Sequence, residues 1–89
     1  MLYIISGNWM ISTGWCVDVN GVEDGRSTNL FGYGLTDCFK LCEGNSSLNG
    51  CTFLASQNRC NTYSGNIVAG NGHGAYKCYR RTGKWQPRL

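Results

Sequence analysis

The sequence predicts an α+β domain of the small disulfide-rich class, an antiparallel β-sheet packed against one short α-helix. Three observations carry that prediction. Six cysteines fall within 89 residues, a density at which bridges of about 2–4 kcal/mol each supplement a core too small to hold a fold alone. Cys38 and Cys42 are four positions apart, so a helix places both on one face. Cys51 and Cys60 bracket a run, TFLAS, that reads as a strand followed by a turn, with a return strand after it, the pattern of a hairpin.

Taken in order, residues 1–14 read as a lead-in, with short strands at Leu2-Tyr3-Ile4-Ile5 and Trp9-Met10-Ile11 broken by Gly7-Asn8 and by Ser12-Thr13-Gly14. Trp15 to Val19 alternates, with Trp15, Val17 and Val19 on one face and Cys16 and Asp18 on the other. Asn20-Gly21 is a strong turn dipeptide. The glycine-rich stretch 22–35 reads mostly as loop, with an extended piece near Phe31 to Leu35. A two-turn helix is expected over residues 37–43, with Thr36 as its N-cap, Asp37 at the positive end of the macrodipole and Gly44 as its stop. Cys38, Leu41 and Cys42 face inward; Lys40 and Glu43 face water. Residues 51–55 form a strand, 56–58 a tight turn and 59–63 the return strand. A short strand at 67–69, a glycine loop at 70–74 and a closing strand at 75–80 follow, and residues 82–89 read as a tail. The domain proper is expected over residues 15–81.

An even cysteine count at this density belongs to an oxidising compartment. The N-terminal apolar run is too short for a signal-peptide core, and no segment approaches the roughly 18–20 apolar residues of a membrane span. The expectation is a domain from a longer secreted or membrane-anchored protein, located outside the cell and not inserted in the membrane. Asn45-Ser46-Ser47 is an N-glycosylation sequon consistent with that location.

Catalysis is hard to build from these residues. His73 lies alone in a glycine loop without a neighbouring acid or nucleophile, and the carboxylates show no dyad spacing. No enzyme activity is expected. The glycines at 70, 72 and 74 lack the lysine and following helix of a phosphate loop. Structural zinc favours closely paired cysteines, whereas here C-x3-C is followed by C-x8-C, so neither a metal nor another cofactor is expected.

Binding remains. The net charge is +3, and its distribution is one-sided. All five acids (Asp18, Glu23, Asp24, Asp37, Glu43) precede residue 44, and Arg59, Lys77, Arg80, Arg81, Lys84 and Arg88 follow it. Arg59, Lys77, Arg80, Arg81 and Lys84 are candidates for a polyanion surface. Among eleven aromatic residues (Trp 3, Tyr 5, Phe 3), Phe39 and Phe53 are assigned to the core. Trp9, Tyr33, Tyr63 and Trp85 are the candidates for exposed stacking or anchoring positions.

Spacing alone does not choose among the connectivities that six cysteines allow. A nested set, Cys42 with Cys51, Cys38 with Cys60 and Cys16 with Cys78, is one arrangement that lets the chain fold back without crossing itself. The order C…C-x3-C-x8-C-x8-C…C, with a helix on its second and third cysteines, resembles the PAN/apple domain family. The resemblance is carried by Thr36-Asp37-Cys38-Phe39-Lys40-Leu41-Cys42, Cys51-Thr52-Phe53-Leu54-Ala55, Cys60-Asn61-Thr62-Tyr63-Ser64 and Tyr76-Lys77-Cys78-Tyr79. It covers roughly residues 15–81. It implies a sheet wrapped against one helix, inner bridges from helix to central strands as in the nested set, and an outer Cys16–Cys78 bridge of the apple type. It also implies a non-catalytic adhesion module that contacts an extracellular protein or carbohydrate. The alternatives are binding of heparin or another sulfated polysaccharide through the basic second half, or a structural spacer without a dedicated ligand. Nucleic acid is set aside, because an exported module seldom meets it.

Overall fold

In the computed structural model, which describes residues 9–82, the chain forms β1 (Trp9–Thr13), β2 (Cys16–Val17), β3 (Leu30–Phe31), α1 (Leu35–Glu43), β4 (Gly50–Leu54), β5 (Arg59–Tyr63), β6 (Ala69–Gly70) and β7 (Tyr76–Arg81). The expected strand at residues 2–5 lies outside the described residues. Five strands make one antiparallel sheet in the order β1-β7-β4-β5-β3, and β2 pairs with β6 as a separate ribbon. The α+β architecture expected from the sequence is therefore present. Among the described residues, no helix is long and apolar enough to cross a membrane.

The hairpin β4–β5 follows directly from its sequence. Cys51, Thr52, Phe53 and the β5 residues Asn61 to Tyr63 are buried, and a single 3-10 turn over Ala55–Gln57 reverses the chain. Asn58 closes the turn with φ 48°, a left-handed conformation that asparagine tolerates better than most residues. β4 is central in the sheet, so both of its faces are covered.

Strand periodicity sorts the side chains into two cores. On one face Cys51, Phe53, Cys60, Tyr79 and Trp9 meet Cys38 and Cys42 of α1, with Ile11, Phe39 and Leu48 at the margin. On the other, Cys16, Tyr63, Ile67 and Cys78 form a second cluster beneath the ribbon. The ribbon approaches so closely that a Cβ on Gly50 would strike Ile67, and one on Gly70 would strike the Thr13 carbonyl. Glycine at both positions is what lets this third layer seat on the sheet.

The helix begins two residues earlier than its sequence suggests. Gly34, extended at φ −83° and ψ 172°, is the N-cap and makes no side-chain cap bond. Its carbonyl accepts from Cys38 N–H at 2.9 Å, which places Thr36 inside the first turn. Nine residues are too few for a helix stable by itself; α1 is held by burial of Cys38 and Cys42 and by the Cys38–Cys60 disulfide.

Two of the three expected bridges form. Cys16–Cys78 joins the ribbon to β7 across a sequence separation of 62, and Cys38–Cys60 joins helix to hairpin across 22. Loop-closure entropy values them at roughly 4 and roughly 3 kcal/mol. The expected Cys42–Cys51 bridge is corrected: both residues are buried free cysteines. The neighbouring Cys42 thiol, with burial, pushes the Cys51 thiol well above its usual range, and Cys51 Sγ donates to the Cys38 carbonyl at 3.9 Å. The adjoining thiols fill the apolar space between α1 and β4 without a covalent link.

The expected division at residue 15 also shifts. β1, within the expected lead-in, is an integral edge strand paired to β7 from Trp9↔Arg81 to Thr13↔Lys77. The alternating segment 15–19 supplies only the two residues of β2, and Val19 stands 81% exposed in the following turn. Asp18 Oδ1 accepts from the N–H groups of Asn20 and Val22 at 2.8 and 2.9 Å, so the local turn bonding of aspartate ends the strand.

Candidate functional site

The basic side chains expected to form one surface are divided by the pleat of β7. Lys77 and Arg81 take the parity of Tyr79, on the helix side; Arg80 takes that of Tyr76 and Cys78, on the ribbon side. Lys77 is exposed. Arg81 is a structural tie: its Nε donates to the Leu48 carbonyl at 3.0 Å, and its Nη2 to the Cys42 and Asn45 carbonyls at 3.1 and 3.2 Å. Its guanidinium also lies 4.4 Å from the centre of the Trp9 ring. A cation at the negative end of α1 thus holds the turn after the helix. Arg59 is also engaged, donating from Nη2 to the Tyr76 hydroxyl at 3.1 Å and lying over that ring at 5.5 Å. Its buried Nε has no hydrogen-bond partner among the described residues. Lys84 lies outside the described residues.

Arg80 differs from these. It is half-buried, and its guanidinium makes no hydrogen bond or ion pair among the described residues. It lines a groove of about 310 Å3 with Asn49, Asn66, Ile67, Val68 and Thr82 among its walls. The groove is built from the start of β4, the end of β7 and the turn leading into β6. Asn49 fixes these segments together. Its Nδ2 donates to the Ser64 and Gly65 carbonyls at 3.3 and 2.8 Å, its N–H to the Tyr63 carbonyl at 2.7 Å, and its carbonyl accepts from Arg81 N–H at 2.8 Å. Asp24 secures the other side by accepting from Asn66 N–H at 3.0 Å. The Asn66 side-chain amide has no partner among the described residues, and Val68 is exposed on the wall.

The aromatic candidates are placed differently from expectation. Trp9 is 1% exposed and packs edge-on against Phe39 at 5.1 Å. Tyr63 is 0% exposed. Both are corrected from contact positions to core: β1 carries Trp9 under the helix, and β5 carries Tyr63 under the ribbon. Tyr33 is half-buried against the helix-side core. Trp85 lies outside the described residues.

Tyr63 ends a buried polar chain. Cys16 N–H donates to Thr52 Oγ1 at 3.0 Å, the Thr52 hydroxyl donates to Tyr63 Oη at 2.9 Å, and the Tyr63 hydroxyl donates to Glu23 Oε1 at 2.8 Å. Burial, the largest cause, and the neighbouring Glu23 carboxylate push the Tyr63 hydroxyl far above its usual value. Glu23 also pairs with Arg26 at 3.6 Å.

A ring cluster that the sequence does not announce sits beside Arg59. Trp15 stacks on His73 at 5.3 Å and meets Tyr76 edge-on at 4.7 Å, and His73 meets Tyr76 edge-on at 5.1 Å. His73 is exposed, as a loop histidine should be. Asn45 is exposed too, and its Oδ1 accepts from Ser47 N–H and Ser47 Oγ at 3.0 and 2.7 Å. Among the described residues, no three His, Cys, Asp or Glu side chains gather as a metal ion would require.

The groove residues Asn49, Asn66 and Val68 carry no motif. Only the basic character of the closing strand points toward them, through Arg80. Comparison of the chain with protein-family models, with curated proteins and with solved structures finds no match.

Proposed function

We propose that this chain is a non-catalytic extracellular binding module of the PAN/apple kind, through which a larger secreted or membrane-anchored protein contacts another protein or a carbohydrate. The observation that carries the reading is Arg80, a half-buried guanidinium without a partner among the described residues, at the wall of a groove whose other parts are firmly tied. Holding an arginine partly desolvated and unpaired costs stability unless something else uses it. The Cys38–Cys60 and Cys16–Cys78 bridges match two of the three that the resemblance implies, with Cys42 and Cys51 departing from it as free thiols, and disulfides suit an oxidising compartment.

A sulfated polyanion is the competing ligand, favoured by the acid-free second half of the chain. Against it, Lys77 and Arg80 face opposite sides, and Arg59 and Arg81 are engaged internally. A glycan array with neutral, carboxylated and sulfated sugars, read with the wild type and Arg80→Ala, tests both. Binding that Arg80→Ala abolishes supports the groove. Retention on heparin that falls equally for Lys77→Ala and Arg80→Ala favours the polyanion instead. Equal signals from wild type and Arg80→Ala throughout would remove the groove as the site.

A further inference from the structure

We propose that the groove beside Arg80 recognises a single carboxylated sugar residue, a hexuronate-type ring, rather than a neutral sugar or a repeating polyanion; this rests on the binding-module reading above. Four features of the groove define the ligand. The first is charge. Among the described residues, the Arg80 guanidinium on this wall has no partner, and its planar fork matches one carboxylate in a bidentate arrangement. A polyanion needs several free cations on one side, and the neighbouring Arg81 already donates to three carbonyls on the helix side.

The second feature is polar. The Asn66 side-chain amide, unpartnered among the described residues, offers both donors and an acceptor, which is what vicinal hydroxyls require. The third is apolar. Val68, exposed at the groove with the buried Ile67 behind it, provides a small hydrophobic surface, suited to the C–H face of a sugar ring and unsuited to a bare inorganic anion. The fourth is size. At about 310 Å3, the groove lies at the lower end of small-molecule sites, roughly 300–1,000 Å3, a size that suits a single sugar ring.

The walls are also fixed in advance. Asn49 ties the β4 entry to the Ser64 and Gly65 carbonyls, and Asp24 holds Asn66 through its backbone. A groove held from both sides has little ordering entropy left to lose on binding. Asp24 is the acid nearest this wall in the bonding pattern, and its Oδ2 is committed to the Asn66 N–H.

The test is titration of the folded, disulfide-bonded chain with methyl β-glucuronide, methyl β-glucoside, the methyl ester of the glucuronide, and acetate, followed by two-dimensional NMR of backbone and side-chain N–H groups. The glucuronide is expected to move the Arg80 Nε–H and Asn66 Nδ2–H2 signals. Loss of a charge-assisted pair predicts affinity about tenfold or more weaker for the glucoside, for the ester and for Arg80→Ala. Asn66→Ala should weaken the glucuronide while leaving acetate unchanged. Neither variant removes a side-chain hydrogen bond among the described residues, so neither should lower the melting temperature. Equal affinity for glucoside and glucuronide would overturn the acidic-sugar assignment and leave the binding-module reading intact. Acetate as strong as the glucuronide would reduce the site to a carboxylate contact, such as a peptide terminus, and overturn the sugar assignment. If no probe binds, but the array or a protein ligand registers elsewhere on the surface, this inference fails alone. If those also fail, the module reading fails with it.

Discussion

Replacing Tyr63 with phenylalanine tests how the ribbon layer is held to the sheet. The ring stays, so packing volume is preserved and only the hydroxyl goes. Tyr63 is 0% and Thr52 1% exposed, so water cannot replace the lost partner. The Thr52 hydroxyl loses its acceptor at 2.9 Å, and Glu23 loses a donor at 2.8 Å. A buried polar group left unsatisfied costs about 1–3 kcal/mol. Glu23 is half-exposed and keeps Arg26, so its share is the smaller one, and the expected total is about 2 kcal/mol. At about 4–8 °C per kcal/mol for a domain of this size, the melting temperature should fall by roughly 8–16 °C. Urea unfolding should show a lower midpoint with an unchanged slope, because the surface exposed on unfolding is the same. Thr52→Val combined with Tyr63→Phe should cost less than the sum of the single changes, by about 0.5–3 kcal/mol of coupling. A Tyr63→Phe midpoint within about 0.5 kcal/mol of wild type, which is the range of surface substitutions, would refute the reasoning. So would a cycle without coupling.

Three further outcomes follow from the same contacts. The Tyr63 hydroxyl is raised above its usual value of 10.0, so the folded chain keeps a proton that the unfolded chain releases. Stability is therefore fully present below pH 10 and should decline above it, by about 1.4 kcal/mol per pH unit while only the unfolded state ionises; chemical unfolding of Tyr63→Phe across this range should lack that component. Cys42 and Cys51 are buried thiols, with Cys51 pushed upward by the neighbouring Cys42 thiol and by burial, so a thiol reagent should find neither in the native protein and both after denaturation. Arg81→Ala should lower stability by about 2 kcal/mol or more through three lost charged hydrogen bonds, whereas Arg80→Ala should leave the melting temperature equal to the wild type's or higher; identical melts for the two variants would contradict the division of roles between these neighbours.

What was legible came from local pattern. The i, i+4 spacing of Cys38 and Cys42 announced a helix, and α1 buries both. Cys51 to Leu54 and Arg59 to Tyr63 were recognisable as a hairpin because apolar residues and turn residues alternate there within a few positions. Burial was harder to foresee. Trp9 looked like part of a lead-in because nothing near it in sequence pairs with it; its partner, Arg81, is at the opposite end of the described chain. Tyr63 looked available for contact because the layer that covers it comes from the short β2 and β6, each of two residues, too brief to show a period. The ring cluster of Trp15, His73 and Tyr76 was hidden for the same reason, since the loop before β7 must fold back before those side chains meet.

The sequence by itself determined the class of the domain, the location of its helix and hairpin, and the basic character of the closing strand. These depend on residue type and spacing over a few positions, where backbone geometry acts directly. Tertiary structure alone decided that Cys42 and Cys51 meet as thiols, that Arg81 is a structural tie, and that Arg80 stands without a partner among the described residues beside Asn66 and Val68. Adjacent residues on a strand face opposite ways, so identical guanidiniums one position apart enter different layers, and only the packing of those layers shows which of them finds partners.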